Sequence, residues 1–546
     1  MIPRHARWLT PAVCMLLAIV HTWPLATAPG TLSRNDNGDA QLNEWIMAWV
    51  AHQLPRAPAR LFEANIFYPA HDTLAFSEPL IVPALMGAPL AWLGASPVLV
   101  FNLILILGFA LTAWAGARLA ENWTGDRLAG LLTGSMIAFN THTLTRLAHM
   151  QGIHAWGLPM ALLAADRIVT RTWLRDAAWL ALWMTAMACT SGYLVVFASV
   201  MVAVVVVVRV RDWIARPARV LGTFALAALL AALGSLPIYL PYARVAREQG
   251  MVRSLETVAA FSAAPKGYLA AAGRIHISTW SGRFFQDPVD SFFPGFVVIA
   301  LAGLVVWDIS HRTGGDAGRA LTRRRVLMLI AIAVTGFVLS LGVRTPVYGW
   351  VFTIFPPMQG LRAAARFGSL FLLGMAVLAG LGLDRLRRRL PKRAGLIAGV
   401  VLVALANLES LRAPFQYSRF EGIPAIYSLL ASEPGRVVLV ETPFYPVEAV
   451  FQNSAYVLAS TAHWRPLMNG YSGYTPASYL AAAESFRFFP EDYAIEEMRK
   501  AGVTHVMVHP SRFYEDPASV MAKVDASPYL LRMAIGRGGD VLYRLR

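Results

Sequence analysis

The sequence predicts an α-helical polytopic membrane protein that carries a soluble α/β domain at its C-terminus. Of its 546 residues, 56% are hydrophobic and 15% are charged. This composition is more apolar and less charged than that of an average soluble globular protein. The apolar residues gather in long runs, and the basic residues lie in the short segments between these runs. From about residue 411 onward, the composition changes to that of a soluble domain.

The apolar runs predict about eleven transmembrane helices. The first run extends from about Trp8 to Ala28 behind Arg4 and Arg7, and it is long enough to cross a bilayer as an uncleaved signal anchor. The ending Ala26-Thr27-Ala28 leaves a signal-peptidase site as the alternative. The other ten runs lie near residues 98–117, 128–140, 152–166, 177–190, 192–208, 220–240, 293–307, 326–342, 367–383 and 394–408.

One further apolar segment, residues 79–93, is not counted as a span. Proline and glycine interrupt it at Pro79, Pro83, Gly87 and Pro89. Such breaks are tolerated at membrane depth only where protein covers the backbone. We therefore predict a helix that lies at the interface or re-enters the membrane.

The basic residues predict the orientation of the chain in the membrane. They form four clusters, which are Arg171 with Arg175; Arg209, Arg211, Arg216 and Arg219; Arg312, Arg319, Arg323, Arg324 and Arg325; and Arg385, Arg387, Arg388, Arg389, Lys392 and Arg393. Lys and Arg are retained on the cytoplasmic side of a membrane protein. With the N-terminus inside and eleven crossings, all four clusters fall on that side. The net charge of +16 then orients the chain in a bacterial inner membrane and does not indicate nucleic-acid binding.

This orientation places three long segments and the C-terminus in the periplasm. The long segments are residues 29–97, 241–292 and 343–366, within a membrane module of residues 1–410. The C-terminal domain comprises residues 411–546, with strands predicted at Val437–Glu441 and Thr504–His509 and a helix at Pro490–Ala501. The interiors of the spans contain almost no ionisable residues, which argues against an ion-coupled transporter or channel. Chemistry is therefore expected at the outer surface.

The first outer segment contains acidic residues that could serve as a catalytic base. Asp36 and Asp39 follow the first span, and Glu44 lies on a predicted amphipathic helix, Gln41–Leu54, with Leu42, Trp45 and Trp49 toward the membrane interface. A carboxylate here could deprotonate a hydroxyl nucleophile. The alternative is structural: Asp36 and Gly38 form a turn, and Asp39 caps the following helix.

Glu78 and three histidines are further polar residues of the outer segments. Glu78 precedes Pro79 and could position an acceptor or hold a cation; alternatively, it is a charge that favours a helix start. His142, His149 and His154 are spaced by seven and five residues, which fits no common metal-ligand pattern. We therefore predict hydrogen bonding by these histidines and no metal site. No cofactor is predicted, although a divalent cation is left open.

Two outer segments carry residues suited to phosphate and sugar. Arg362 and Arg366 would share one face of a continuing helix and could hold a phosphate through bidentate hydrogen bonds. The alternative role is anchoring to lipid headgroups. Asn469 and Tyr471 lie in a glycine-rich loop with the amide and aromatic groups that bind carbohydrate, although a purely structural loop is an equal alternative.

Several short motifs together resemble a known superfamily. They are Gly38-Asp39-Ala40-Gln41 with Trp45 and Trp49, Asn65–Pro69, Phe76–Leu80, Arg146–Gln151, Phe293-Pro294-Gly295, Gly360–Phe367 and Asn469–Gly473. The chain resembles bacterial members of the GT-C superfamily of polytopic glycosyltransferases, which includes the protein mannosyltransferases and the lipid A aminoarabinose transferases. The resemblance implies an enzyme that uses a polyprenyl-phosphate sugar donor and a glycan, lipid or protein acceptor.

The resemblance also assigns roles to residues by position. An acidic residue of the first outer loop is the base in that superfamily, and Asp39 matches it because it follows the first span and opens the helix. The paired Asp-Glu of better-known members is missing here, so Asp36 and Glu44 stay open as the base. The motif residues Gln41, His149 and Gln151 are expected to bind substrate together with Asn469 and Tyr471.

A second function stays open at this stage. The alternative is a non-catalytic translocase of lipid-linked glycans, or an assembly protein of the cell envelope. A translocase needs a polar path through the bilayer, whereas the predicted spans are apolar. Glycine-rich nucleotide-phosphate motifs are absent from the sequence, which disfavours a nucleotide-sugar donor.

Overall fold

The structure, a computed structural model, describes residues 8–250, 253–285, 290–311 and 317–546. Arg4, Arg7 and Arg312, which entered the orientation argument, lie outside these residues. The chain forms two compact units. The first unit comprises Met1–Ala28, Leu103–Ile238 and Val252–Gln416, and the second comprises Pro29–Asn102, Tyr239–Met251 and Tyr417–Arg546.

Each apolar run predicted to cross the membrane coincides with a helix. These helices are Leu9–His21, Pro97–Thr124, Arg127–Ala138, Gly157–Arg171, Leu174–Ala188, Gly192–Val208, Pro217–Glu248, Phe296–His311, Ala317–Ser340, Gly368–Arg389 and Lys392–Ser410. Among the described residues, four helices are long and apolar enough to cross a membrane: Pro97–Thr124, Pro217–Glu248, Ala364–Arg389 and Lys392–Ser410. The helical class of the prediction is confirmed, and the count of eleven spans stays a prediction.

Short helices connect the long ones. In the first unit they are Thr141–Leu144, Met150–Ile153, Val210–Trp213, Leu255–Ala260, Arg274–Thr279 and Pro346–Ile354.

The proline-interrupted segment of the second unit forms the helix Ile81–Trp92. Its 12 residues extend over about 18 Å, which is shorter than the hydrocarbon core of a bilayer. The helix Arg127–Ala138, which is predicted to cross, also has 12 residues, so the non-crossing placement of Ile81–Trp92 stays a prediction.

Glycines allow helices of the first unit to approach closely. A Cβ atom on Gly134 would lie 1.9 Å from the carbonyl oxygen of Ala113 on helix Pro97–Thr124. A Cβ atom on Gly380 would lie 2.0 Å from the Thr133 hydroxyl oxygen. Small residues of this kind permit backbone contact between helices in lipid, where packing rather than the hydrophobic effect drives association.

Two of the predicted basic clusters also hold the first unit together. Asp166, at 1% exposure, accepts hydrogen bonds from Arg209 at 2.6 Å and from Arg325 at 2.7 Å. Arg209 and Arg324 both pair with Asp212. Because buried charges persist only when they are paired, these arginines have structural partners as well as a place in the orientation argument.

The second unit contains a mixed sheet of four strands. Their order is Leu439–Thr442, His505–Val508, Val541–Leu545, Leu530–Ile535; the first pair is parallel and the others are antiparallel. The accompanying helices are Gly38–Gln53, Tyr427–Ser432, Ser454–Ala459, Ala477–Phe486, Asp492–Lys500 and Pro517–Ala526. Both predicted strands and the predicted helix are found, each beginning one or two residues later than expected.

The second unit differs from the predicted linear domain of residues 411–546. It also includes the first outer segment, because Leu32 and Ser33 pair in antiparallel fashion with Arg419 and Ser418.

The tryptophans of helix Gly38–Gln53 were predicted to face the membrane interface, and this is wrong. Trp45 and Trp49 are 1% and 5% exposed. Their indole N–H groups donate to the Asn65 side chain and to the Leu61 carbonyl, so their polar atoms are satisfied by protein.

Candidate functional site

Asp39 lies in the first turn of helix Gly38–Gln53. The residue that caps this helix is Asn37, whose backbone is extended and whose Oδ1 accepts a hydrogen bond from the Asp39 N–H at 2.9 Å. The alternative in which Asp39 is the cap is therefore wrong. A carboxylate in the first turn is stabilised by the helix dipole. The Asp39 side chain has this favourable position without serving as the cap.

The Asp39 carboxylate is held by a tyrosine from the C-terminal part of the same unit. The Tyr471 hydroxyl donates a hydrogen bond to Asp39 Oδ1 at 2.6 Å. A Cβ atom on Gly38 would lie 3.1 Å from the Ser454 Oγ and 3.2 Å from the Phe451 carbonyl oxygen, so glycine leaves room for that segment, whereas its 3.4 Å distance to the Tyr471 ring would be an ordinary contact. Both Asp39 and Tyr471 are half-buried. The structure thus brings together two residues that were predicted separately, and it fixes the direction of the carboxylate.

The side-chain amide of Gln41, in the first turn of the same helix, makes two hydrogen bonds within the second unit. Its Oε1 accepts from the Ser454 hydroxyl at 2.5 Å, and its Nε2 donates to the Asn35 carbonyl at 3.4 Å. These contacts fasten the start of the helix to the helix Ser454–Ala459. Gln41 therefore supports the surroundings of Asp39, and its predicted contact with substrate stays a prediction.

The other two acids of the first segment are less suited to act as the base. Asp36 has 51% of its side chain exposed and pairs with Arg34 at 3.3 Å. Glu44 is 1% exposed, and this burial raises its pKa to about 8, although hydrogen bonds from Asn35 and Ser33 oppose the shift. A carboxyl group with such a pKa is mostly protonated at neutral pH, so little of it is in the form that accepts a proton. Asp39 is the best placed of the three.

Glu78 lies in a segment of constrained backbone. Leu80 and Asp72 adopt positive φ angles of 45° and 51°, a region that residues other than glycine seldom occupy. Arg244 holds Asp72 through two hydrogen bonds of 2.8 and 3.0 Å, and the Tyr242 hydroxyl donates to the Ser77 carbonyl at 2.5 Å. Glu78 itself is partly exposed. Its catalytic role stays a prediction, and the supporting residues Tyr242 and Arg244 were missed.

Asn469 does not have the features of a substrate ligand. It is fully buried, its Oδ1 accepts from the Glu441 N–H at 2.8 Å, and its Nδ2 donates to the Glu441 carbonyl at 2.9 Å. The side chain thereby joins the loop before Tyr471 to the strand Leu439–Thr442. We assign Asn469 a structural role in place of the predicted substrate contact, because its polar atoms already bind the backbone.

In the first unit, a cavity of about 60 Å³ brings together three predicted residues from distant segments: His149, Gln151 and Arg366. Arg146 and His142 also line it, and no Asp or Glu is among its lining residues. The Oε1 atom of Gln151, a residue that is 8% exposed, has no hydrogen-bond partner among the described residues. A cavity with two arginines and no carboxylate is suited to an anion. Arg146 was missed as a site residue, although it begins the motif that contains His149 and Gln151.

Arg362 and Arg366 do not share a helix face, so that prediction is wrong. The α-helix begins only at Gly368, after the 3₁₀ turn Ala364–Phe367, and Arg362 precedes this turn. The Arg366 guanidinium lies 4.4 Å from the centre of the Tyr193 ring, whereas that of Arg362 lies 5.2 Å from the Phe261 ring. Of the two arginines, Arg366 alone lines the cavity of the first unit described above.

The three histidines considered for a metal make different contacts. His142 stacks on Phe292 at 4.7 Å between ring centres, and His154 Nε2 lies 3.1 Å from the Ile104 carbonyl oxygen. Within the described ranges, no three His, Cys, Asp or Glu side chains form a group that could hold a metal ion. Only His142 and His149 line the cavity with Arg366.

Comparison with known proteins identifies the fold. Sequence searches match the chain to no family model and to no curated protein. Among solved structures, arabinofuranosyltransferase AftD from Mycobacteria matches all of this chain with a TM-score of 0.63 and 18% identity. This chain spans 40% of the length of AftD.

Two other solved structures match over most of the chain. One is oligosaccharyltransferase AglB from Archaeoglobus fulgidus, in complex with an inhibitory peptide and a dolichol-phosphate. Its TM-score is 0.49 at 12% identity, and the match covers 100% of this chain and 74% of the AglB chain. ArnT from Cupriavidus metallidurans has a TM-score of 0.41 at 13% identity, covering 99% and 98%. The match to AftD shows that this chain has the fold of that arabinofuranosyltransferase, which agrees with the fold class predicted from the sequence.

Proposed function

We propose that the protein is a membrane glycosyltransferase that moves a sugar from a polyprenyl-phosphate-linked donor to a hydroxyl group of a glycan, lipid or protein. The observation that carries this proposal is the Asp39 carboxylate, held by Tyr471 at the start of a helix. The GT-C fold and the carboxylate-free cavity around Arg366 support it. The reaction is placed on the periplasmic face of a bacterial inner membrane, as the distribution of basic residues predicts.

In the proposed reaction, Asp39 is the general base. The acceptor oxygen attacks the anomeric carbon of the sugar while Asp39 takes the hydroxyl proton. The bond between the anomeric carbon and the phosphate oxygen breaks, and polyprenyl phosphate leaves with the bonding electrons. One displacement of this kind inverts the configuration at the anomeric carbon. Tyr471 is a positioning residue, because its hydrogen bond directs the carboxylate.

The donor phosphate is assigned to the cavity of the first unit. Arg366 and Arg146 supply charge that balances the phosphate of the donor and the charge that develops on the leaving group. His149 and Gln151 supply further hydrogen-bonding atoms in the same cavity. Arg362 is left out of the donor site.

The test is the substitution Asp39→Asn in the purified full-length protein. Asparagine keeps the size of the side chain but accepts no proton, so the transfer rate should fall by about 10² to 10⁴. Asp36→Asn is the matched control, because Asp36 lies in the same segment but is exposed and paired with Arg34. A folded Asp39→Asn variant that transfers sugar at the rate of the unchanged protein would refute the proposal.

The same preparation distinguishes the translocase alternative. Proteoliposomes that hold a lipid-linked sugar in one leaflet report movement of the lipid across the bilayer without any acceptor. The translocase is favoured if the unchanged protein transfers no sugar to an acceptor and the Asp39→Asn variant still moves the lipid across the bilayer. Transfer to an acceptor that depends on Asp39 favours the enzyme.

A further inference from the structure

A second cavity in the first unit lies apart from the proposed donor site. It has a volume of about 230 Å³ and is formed by the helices Pro97–Thr124, Gly157–Arg171 and Leu174–Ala188. Its polar residues are Arg118, Asn122 and Arg167, and its apolar walls include Leu163, Trp179 and Trp183. None of these residues has a role in the proposed reaction.

The apolar walls of this cavity continue onto an exposed apolar face. Trp179 and Trp183 stack one helical turn apart, with ring centres at 5.4 Å and planes 15° from parallel. Trp179 is 47% exposed, and Leu182 on the same helix is 49% exposed. Large exposed apolar side chains on a helix of a membrane protein face lipid, and tryptophan favours the headgroup level. The walls therefore offer a surface suited to an acyl chain.

The polar end of the cavity is positively charged. Arg118 is half exposed and forms a salt bridge with Glu121 at 3.0 Å. The Nε atom of Arg167 is buried and has no hydrogen-bond partner among the described residues. Asp176 offsets part of the charge of Arg167, and Arg171 and Arg175 lie close to Asp176. In the lining of the cavity itself, Arg118 and Arg167 are the charged residues and no Asp or Glu is present, so this end of the cavity is positively charged.

We propose that this cavity binds one anionic phospholipid of the surrounding bilayer. The lipid phosphate lies between Arg118 and Arg167, Asn122 donates a hydrogen bond to it, and one acyl chain lies along Leu163, Trp179 and Trp183. The positive charge favours an anionic over a zwitterionic headgroup, and the apolar walls favour a lipid over free phosphate. The charge distribution assigns this end of the helices to the cytoplasmic leaflet, where basic pockets between helices bind such headgroups. The site goes beyond the proposed function and does not depend on it.

The experiment measures lipid retention by the full-length protein in detergent. Phosphatidylglycerol or phosphatidylcholine with identical acyl chains is added, and native mass spectrometry counts the lipids that remain bound. The unchanged protein should retain phosphatidylglycerol in preference to phosphatidylcholine. Arg118→Gln should weaken this retention about fivefold, as expected for one basic residue near a lipid phosphate. Because the Arg118 side chain is half exposed, this variant should fold.

Two further variants sharpen the test. Arg175→Gln is the matched control, because Arg175 stacks on Trp173 and does not line the cavity, so its retention should equal that of the unchanged protein. Trp179→Ala should lower retention of both lipids, because it removes an apolar wall but no charge. The inference is overturned if the unchanged protein retains the two lipids equally. It is also overturned if Arg118→Gln and Arg175→Gln lose phosphatidylglycerol to the same extent, or if inorganic phosphate alone displaces the bound lipid.

Discussion

The Tyr471 hydroxyl donates a 2.6 Å hydrogen bond to Asp39 Oδ1, although 432 positions separate the two residues in the sequence. Asp39 lies in the first turn of a helix, and Tyr471 follows a loop that Asn469 fastens to the edge strand Leu439–Thr442 of the same unit. The first outer segment and the C-terminal residues therefore build one carboxylate environment together. The C-terminal part of the chain contributes to the candidate site as well as to the sheet.

Replacing Tyr471 with Phe should slow sugar transfer about 10- to 100-fold, because the hydrogen bond from a hydroxyl to a carboxylate is lost. The ring remains, so packing against Gly38 should be kept. The measurement is the transfer rate at saturating donor, together with thermal stability. In a chain that already carries Asp39→Asn, adding Tyr471→Phe should change the rate little, since Tyr471 acts through Asp39.

Tyr474→Phe is the control for this prediction. The Tyr474 hydroxyl donates to the Gln249 carbonyl at 3.0 Å within the same unit. Its removal should lower stability to a similar extent and leave the transfer rate nearly unchanged. Equal rate losses in the two variants would show that Tyr471 is merely structural.

Arg366→Lys should weaken binding of a short-chain polyprenyl phosphate about tenfold, because an ammonium cannot reproduce two parallel hydrogen bonds to phosphate oxygens. Arg362→Lys should leave the affinity unchanged, since Arg362 stacks on Phe261 and does not line the cavity. The affinity is measured in detergent by titration. If both variants bind as tightly as the unchanged protein, the arginines have an anchoring role and the cavity is not the donor site.

Glu44→Gln should stabilise the protein at alkaline pH. Burial raises the pKa of Glu44 from an ordinary 4.5 to about 8. A group whose folded pKa lies above its unfolded value contributes stability below the unfolded pKa, and this contribution is lost as the pH rises through the folded pKa. The variant and the unchanged protein should therefore differ little near about pH 4 and diverge between about pH 5 and about pH 8. Thermal unfolding at a series of pH values checks this; a constant difference would show that Glu44 does not titrate in this window.

Reporter fusions test the predicted topology. A periplasm-dependent reporter fused after Leu411 should be active, and the same reporter fused after Arg389 should be inactive, because the helix Lys392–Ser410 separates these positions. A cytoplasm-dependent reporter should give the opposite pattern. Activity of the cytoplasmic reporter after Leu411 would refute the eleven-span arrangement.

The pattern of the sequence predicted the helical class, the position of each long helix and the strands around residues 440 and 506. Apolar runs and turn residues act locally, so their pattern is visible in the chain. Three relationships are visible only in the fold: Tyr471 binds Asp39, Asn37 is the helix cap, and Arg366 lines the same cavity as Arg146 whereas Arg362 does not. These relationships depend on where a 3₁₀ turn ends, on which side chains become buried and on contacts between residues far apart in the chain. Periodicity carries no information about such contacts, because it records only the face of an element and never its partner.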